Sequence, residues 1–220
     1  DDPEGFWGEQ AKHFLTWDKP WDKVLSWDFH RADIKWFEGG KLNVAYNCLD
    51  RHLEKYSDRT AITWEGDDPS RDKQISFRAL HEEVCRIANV LKQRHVKKGD
   101  RVSIYMPMVP EAAVAMLACA RIGAIHSIVF GGFSAESVKD RIDDSECKVL
   151  VVADEVRRAG KNRPMKDNLK GIIDTCDSIE HVAVIKLTGG DVYKYEKDVD
   201  FLALMEKQST TCECEIMDAE

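Results

Sequence analysis

Five basic residues, Arg157, Arg158, Lys161, Arg163 and Lys166, crowd into ten positions around Ala159 and Gly160. Guanidinium groups present planar forks that match phosphate oxygens, and a glycine among them lets a ligand approach the backbone. A charge run is also commonly no more than a solvated loop, here partly neutralised by Asp154 and Glu155, and the residues alone leave both readings open. A second stretch reads Phe130, Gly131, Gly132, Phe133, Ser134. Paired glycines permit close approach of a ligand and backbone angles closed to other residues. Composition alone makes the stretch a tight strand-to-helix turn with Ser134 as the helix cap.

Other chemistries lack their residues. GGFSAE has no third, correctly spaced glycine for a dinucleotide fingerprint, and Thr188, Gly189 and Gly190 read as a turn rather than a phosphate loop. That absence counts against a nicotinamide-dependent oxidoreductase. Neither a G-x-S-x-G elbow nor an H-E-x-x-H pair occurs. His126 lies in an apolar strand run and reads as a hydrogen-bonded core histidine. Asp143 and Asp144 are adjacent in a helix and share no face, so they do not suggest paired-carboxylate catalysis. Cys212 and Cys214 form a CEC without partner ligands, and no metal site is expected there.

The elements that position the two stretches follow from apolar spacing. After NVAYNCLDRHLEKY, an amphipathic helix, and the strand TAITWEGD, Ser76 caps a helix carrying Leu80, Val84, Ile87 and Leu91. Strand RVSIYMP stops at Pro107, and helix PEAAVAMLACARIG starts near Pro110 and ends before Gly123. The series continues with strand AIHSIVF, helix SAESVKDRIDD, strand KVLVVAD, helix PMKDNLKGIIDTC, strand HVAVIK and helix DFLALMEK. Short, wholly apolar strands separated by helices call for a mostly parallel sheet flanked by helices, an α/β fold. Ligands of such sheets bind beyond the carboxyl ends of the strands, where both stretches fall. Residues 1–42 hold five of the six tryptophans with little periodicity and read as an irregular arm; residues 43–220 form the α/β subdomain. The polar end, QSTTCECEIMDAE, lacks a closing element and reads as a stop inside a longer protein.

Lys and Arg total 32 against 40 Asp and Glu, a net charge of −8, which argues against nucleic-acid or anionic-membrane partners. No apolar run is long enough to cross a bilayer. Seven cysteines without paired spacing suit reduced, buried thiols and a cytoplasmic setting.

Three stretches, WFEGGKLNVAYNCLDRH, GDRVSIYMPMVPEAAVAMLACARIGAIHSIVFGGFSAESV and ADEVRRAGKNRPMK, closely resemble the acetyl-CoA synthetases of the adenylate-forming ligase superfamily. The resemblance implies a parent enzyme that converts acetate and Mg·ATP to acetyl-AMP and pyrophosphate, then passes the acetyl group to coenzyme A with release of AMP. Propionyl-CoA synthetase is the nearest alternative, and a non-catalytic module using the Trp-rich arm as its interface is another. By the resemblance, Arg158, Ala159, Gly160 and Lys161 match the family's Arg-Ala-Gly-Arg contact to coenzyme A, with Lys161 keeping the charge but losing the fork. Phe130, Gly131 and Gly132 match the loop beside the coenzyme's adenine. The phosphate loop, acetate pocket, Mg²⁺-associated acid and adenylation lysine are implied to lie in the remainder of the ligase polypeptide. No catalytic or metal-binding residue is therefore expected in this amino-terminal part, which alone should not turn over.

Overall fold

The structure, a computed structural model, describes residues 2–219. The Trp-rich segment is regular, not irregular. Helix α1 (Pro3–Phe14) starts on Asp2, whose carboxylate accepts the Gly5 amide at 2.9 Å. An antiparallel hairpin follows, β1 (Lys23–Asp28) with β2 (Asp33–Glu38). Aromatic residues stand on both faces of this ribbon, which erases the alternation that betrays a strand. The rings pack mainly on one another: Trp17 meets Trp21 edge-on at 4.8 Å between centroids, and both meet Phe37.

Strand β3 (Lys41–Leu42), a π-helical turn at Tyr46–Asp50 and helix α2 (Arg51–Tyr56) come next. Strands β4 (Thr60–Trp64) and β5 (Lys73–Ser76) pair antiparallel. Ser76 then caps helix α3 (Phe77–Gln93), which buries the spaced residues Leu80, Val84, Ile87 and Leu91. From there strands and helices alternate: β6 (Arg101–Met106), α4 (Pro110–Arg121), β7 (Ile125–Phe130), α5 (Ala135–Ser145) and β8 (Val149–Ala153). Ser134 caps α5 as expected, accepting the Ser137 amide.

The basic stretch is not a loop. It forms an antiparallel hairpin, β9 (Glu155–Arg158) with β10 (Lys161–Pro164), turning at Ala159 and Gly160. Both turn residues have positive φ, 51° and 71°, the left-handed pair that a two-residue hairpin turn needs and that glycine tolerates best. The helix expected over 164–176 is also absent. Two 3-10 turns, Asp167–Leu169 and Ile173–Thr175, stand in its place, separated by Gly171 at φ 78°. Burying Leu169, Ile173 and Ile179 meets the apolar spacing without a continuous helix. Strands β11 (His181–Ile185) and β12 (Asp198–Val199) and helix α6 (Phe201–Glu206) follow.

Five strands form one parallel sheet in the order β12-β11-β8-β6-β7. The chain steps from β6 out to β7, then back past β6 to β8, so right-handed crossovers send α4 and α5 to opposite faces. That reversal opens a crevice beyond the carboxyl ends of β6, β7 and β8.

The chain end does have a closing element. Strand β13 (Met217–Asp218) pairs with β3, and Asn43 donates through Nδ2 to the Glu215 and Ala120 carbonyls at 2.8 and 2.9 Å. Beneath it the Arg121 guanidinium, 4% exposed, makes a two-pronged bond to Asp50 at 2.8 Å on each arm. Nε2 of His81 lies 3.3 Å from the same carboxylate. Burial pushes Asp50 upward, but hydrogen bonds from Arg121 and His81 win and hold it far below the usual carboxylate range. The Asp50 partner lifts His81 to about 9.

These shifts set opposite pH limits. The His81 contribution is whole below its ordinary value and fades as pH climbs through about 9, while the Asp50 contribution is whole above pH 4 or so and fades in acid. Denaturant midpoints should therefore drop between about pH 7 and about pH 10, and His81→Asn should remove that drop. Arg121→Ala, which leaves a partly buried carboxylate without its cation, should cost about 3 kcal/mol by the same measurement.

Candidate functional site

A cavity of about 820 Å³ fills the crevice, within the size range of small-ligand and cofactor sites. Of the segments that line it, three carry the side chains suited to a ligand. Phe130 to Phe133 leave β7 on one side, where the Tyr105 hydroxyl donates toward the Gly131 and Phe133 carbonyls, each at 3.3 Å. The Phe130 ring is 67% exposed and sits edge-on to Phe133, whose other face carries the Arg141 guanidinium at 4.4 Å. Arg157 and Arg158 of β9 form the second wall.

The third wall, from Trp64 to Lys73, carries residues that the sequence reading passed over. Trp64 donates through its indole to the Met108 carbonyl at 2.9 Å, and Arg71 donates to the Leu187 carbonyl at 3.1 Å. Asp67 accepts the Ala159 amide at 2.9 Å and the Gly160 amide at 2.7 Å. These backbone bonds, Gly160 first, hold the Asp67 carboxyl below its ordinary range. The only sequence trace of this wall is the EGDDPSR run between two strands, which reads as an ordinary turn.

The two stretches singled out by sequence thus meet, though not residue for residue. Phe130, Gly131, Gly132 and Arg158 line the cavity; Ala159, Gly160 and Lys161 stand at the hairpin tip, just outside it. The Ala159 and Gly160 amides are already taken by Asp67. Lys166 does not belong to the basic patch at all. It is fully buried, with its ammonium on the Asp198 carboxylate and the Tyr193 carbonyl, 4.9 Å from the Tyr195 ring centroid. His126 is partly buried and its ring has no hydrogen-bond partner among the described residues, so it is not the satisfied core histidine expected; burial lowers its pKa. All seven cysteines are free, but Cys48 is exposed rather than buried.

Asp154, which the solvated-loop reading makes a partial neutraliser of the basic run, does something else. Wholly buried at the end of β8, its carboxylate accepts the amides of Glu155 at 2.7 Å, Leu187 at 2.8 Å and Gly189 at 2.9 Å. Its carbonyl takes the Met165 and Lys166 amides where the hairpin returns. One residue therefore fixes both the root of the β9–β10 hairpin and the turn at 187–189. Glu155 adds bonds to the Thr188 hydroxyl and Asn162.

A doubly wound parallel sheet with an aromatic and arginine-walled crevice at its reversal point defines an open α/β domain of the kind that adenylate-forming ligases share. The chain belongs to the AMP-binding enzyme family, whose description matches residues 49–211, while the description "Acetyl-coenzyme A synthetase N-terminus" matches residues 1–48. Acetyl-coenzyme A synthetase of Alkalilimnicola ehrlichii is 56% identical over 221 residues, covering 100% of this chain and 34% of the relative. Acetyl-coenzyme A synthetase 2 of Pseudomonas aeruginosa is 52% identical with the same two coverages. Among solved structures, acetoacetyl-CoA synthetase from Streptomyces lividans superposes with a TM-score of 0.88 at 27% identity, over 99% of this chain and 33% of that one. The chain thus spans about a third of the length of the curated relatives it matches.

Two substitutions probe this geometry. Asp154→Ala would strand several inward-facing amides and should cost about 3 kcal/mol in denaturant unfolding. Gly132→Ala would bring a methyl to 2.7 Å from the Phe130 ring. The ring must move, which should appear as a changed near-ultraviolet dichroism with less than about 1.5 kcal/mol lost from stability.

Proposed function

We propose that the polypeptide carrying this chain is an AMP-forming acetate–CoA ligase, and that this part supplies a wall of the coenzyme A site rather than the ATP site. The ligase joins acetate and ATP as acetyl-AMP with release of pyrophosphate; the coenzyme's thiol then attacks the acyl carbon and AMP leaves. Residues 1–42 act as a packing arm and residues 43–220 as the site-bearing subdomain, in a cytoplasmic enzyme. ATP and Mg²⁺ are assigned to the remainder of the polypeptide.

The observation that carries this reading is the convergence of Phe130–Gly132 and Arg158 on one cavity at the carboxyl ends of the sheet. Several features suit a nucleotide-containing ligand. Gly131 lies close to the Met165 methyl and the Met106 carbonyl, and Gly132 to the Phe130 ring, so side chains there would crowd the wall a flat base must approach. The exposed face of Phe130 offers an adenine a stacking surface. Arg158 presents a fork for the 3′-phosphate, with Lys161 as a point charge further out along the tip. The acyl group's identity, acetate or propionate, depends on a pocket outside this chain.

A non-catalytic binding module draws support from the exposed Trp27, Phe29 and Ile34 of the arm. The same titration separates the two readings. Calorimetry of the complete polypeptide with coenzyme A and with 3′-dephospho-coenzyme A should show tighter binding of the phosphorylated form. Arg158→Ala should erase about tenfold of that preference, the scale of one charge-assisted hydrogen bond. Equal affinity for both forms, or an unaltered preference in Arg158→Ala, would overturn the assignment.

A further inference from the structure

We infer that Asp67 is a positioning residue for the coenzyme site: it latches the tip of the β9–β10 hairpin to the wall formed by Trp64–Lys73 and so fixes where Arg158 stands. The inference rests on the coenzyme A reading and extends it to a residue of the neighbouring wall.

The hairpin needs such a latch. From Arg157 to Pro164 every residue is exposed. A two-stranded ribbon without a packed face holds its shape poorly in water. At its root Asp154, Glu155 and the buried Met165 fix it to the sheet, but Arg158 stands at the other end, next to the turn. The turn's two amides, of Ala159 and Gly160, bond to Asp67, ninety-two and ninety-three residues away in sequence. One carboxylate oxygen takes each amide, so the tip is held against rotation as well as against displacement.

The latch also decides how an anion can be recognised. Two neighbouring amides at a left-handed turn would otherwise be open to a phosphate oxygen. With Asp67 in place that role is filled from within, and a negative carboxylate beside the tip repels a second anion. Recognition of a phosphate then falls to side chains, and the nearest fork is Arg158. Asp67 is itself anchored: Trp64 before it and Arg71 after it are tied to Met108 and Leu187, so the latch connects two braced walls rather than two loose loops.

The test uses the complete polypeptide and four proteins: wild type, Asp67→Ala, Arg158→Ala and the double variant. Asp67→Ala should raise KM for coenzyme A about tenfold while kcat changes less than about twofold, with a much smaller rise for the 3′-dephospho form. In the Arg158→Ala background the same change should have little further effect, since the residue acts through Arg158. Asp67→Asn, which keeps one acceptor oxygen, should fall between. Without any ligand, hydrogen exchange at the Ala159 and Gly160 amides should quicken in Asp67→Ala. Additive effects of the two substitutions, or equal KM rises for both coenzyme forms, would overturn the inference. Unchanged amide exchange would remove the latch and leave the coenzyme site standing, whereas a wild type blind to the 3′-phosphate would remove both.

Discussion

A buried carboxylate that pairs with no cation among the described residues has to be surrounded by donors, and Asp154 is surrounded by the backbone. Its side chain gathers amides from the start of β9 and from the turn after β11, while its own carbonyl receives the chain returning from β10. A side chain with two acceptor oxygens suits this place because every partner is an N–H or O–H; an amide side chain would bring hydrogens where only acceptors fit. Since β8 and β11 are neighbours in the sheet, one residue at their common end sets the height and direction of everything that leaves them. The arginine-bearing hairpin inherits its orientation from that point.

The rest of the cavity uses the same device at lower burial. Connections that sequence would leave free are tied across the crevice by single polar bonds: Trp64 to Met108, Arg71 to Leu187, Tyr105 to Gly131 and Phe133. Each uses a carbonyl left over at a strand end, where the ladder stops and backbone groups need partners. A parallel sheet supplies many such ends on one side. The site is thus assembled from the groups that the sheet itself leaves unsatisfied, at the one place where its strand order reverses.

Asp50, His81 and Arg121 do for the segment after α6 what Asp154 does for the site. Arg121 also donates to the Cys212 carbonyl, so the segment after α6 is drawn across the ends of α3 and α4 and back to β3. One centre takes Arg121 from the last position of α4, and the other follows the last residue of β8. The apolar core between needs no polar guidance, because burial is non-directional and periodic spacing already aims each side chain.

Much of this architecture was legible in the residues. The alternation of apolar runs predicts the parallel sheet, Ser76 and Ser134 mark their helices, and the strand-end positions of Phe130–Gly132 and Arg158 predict that they share a crevice. What misled was local. A basic run flanked by glycine reads as a loop but folds as a hairpin, Leu169 and Ile173 imitate a helix that Gly171 interrupts, and Lys166 joins a patch in sequence while lying buried against Asp198 in space. Asp67 and Asp154 gave no sign of their roles. Periodicity and capping are properties of neighbours along the chain, so the sequence by itself determined the capped helices and the apolar strands of the parallel sheet, their order and the end of the sheet that could bind a ligand. A carboxylate's partner is set by which amide comes to rest within about 3 Å of it. Across ninety residues only the tertiary structure decides that.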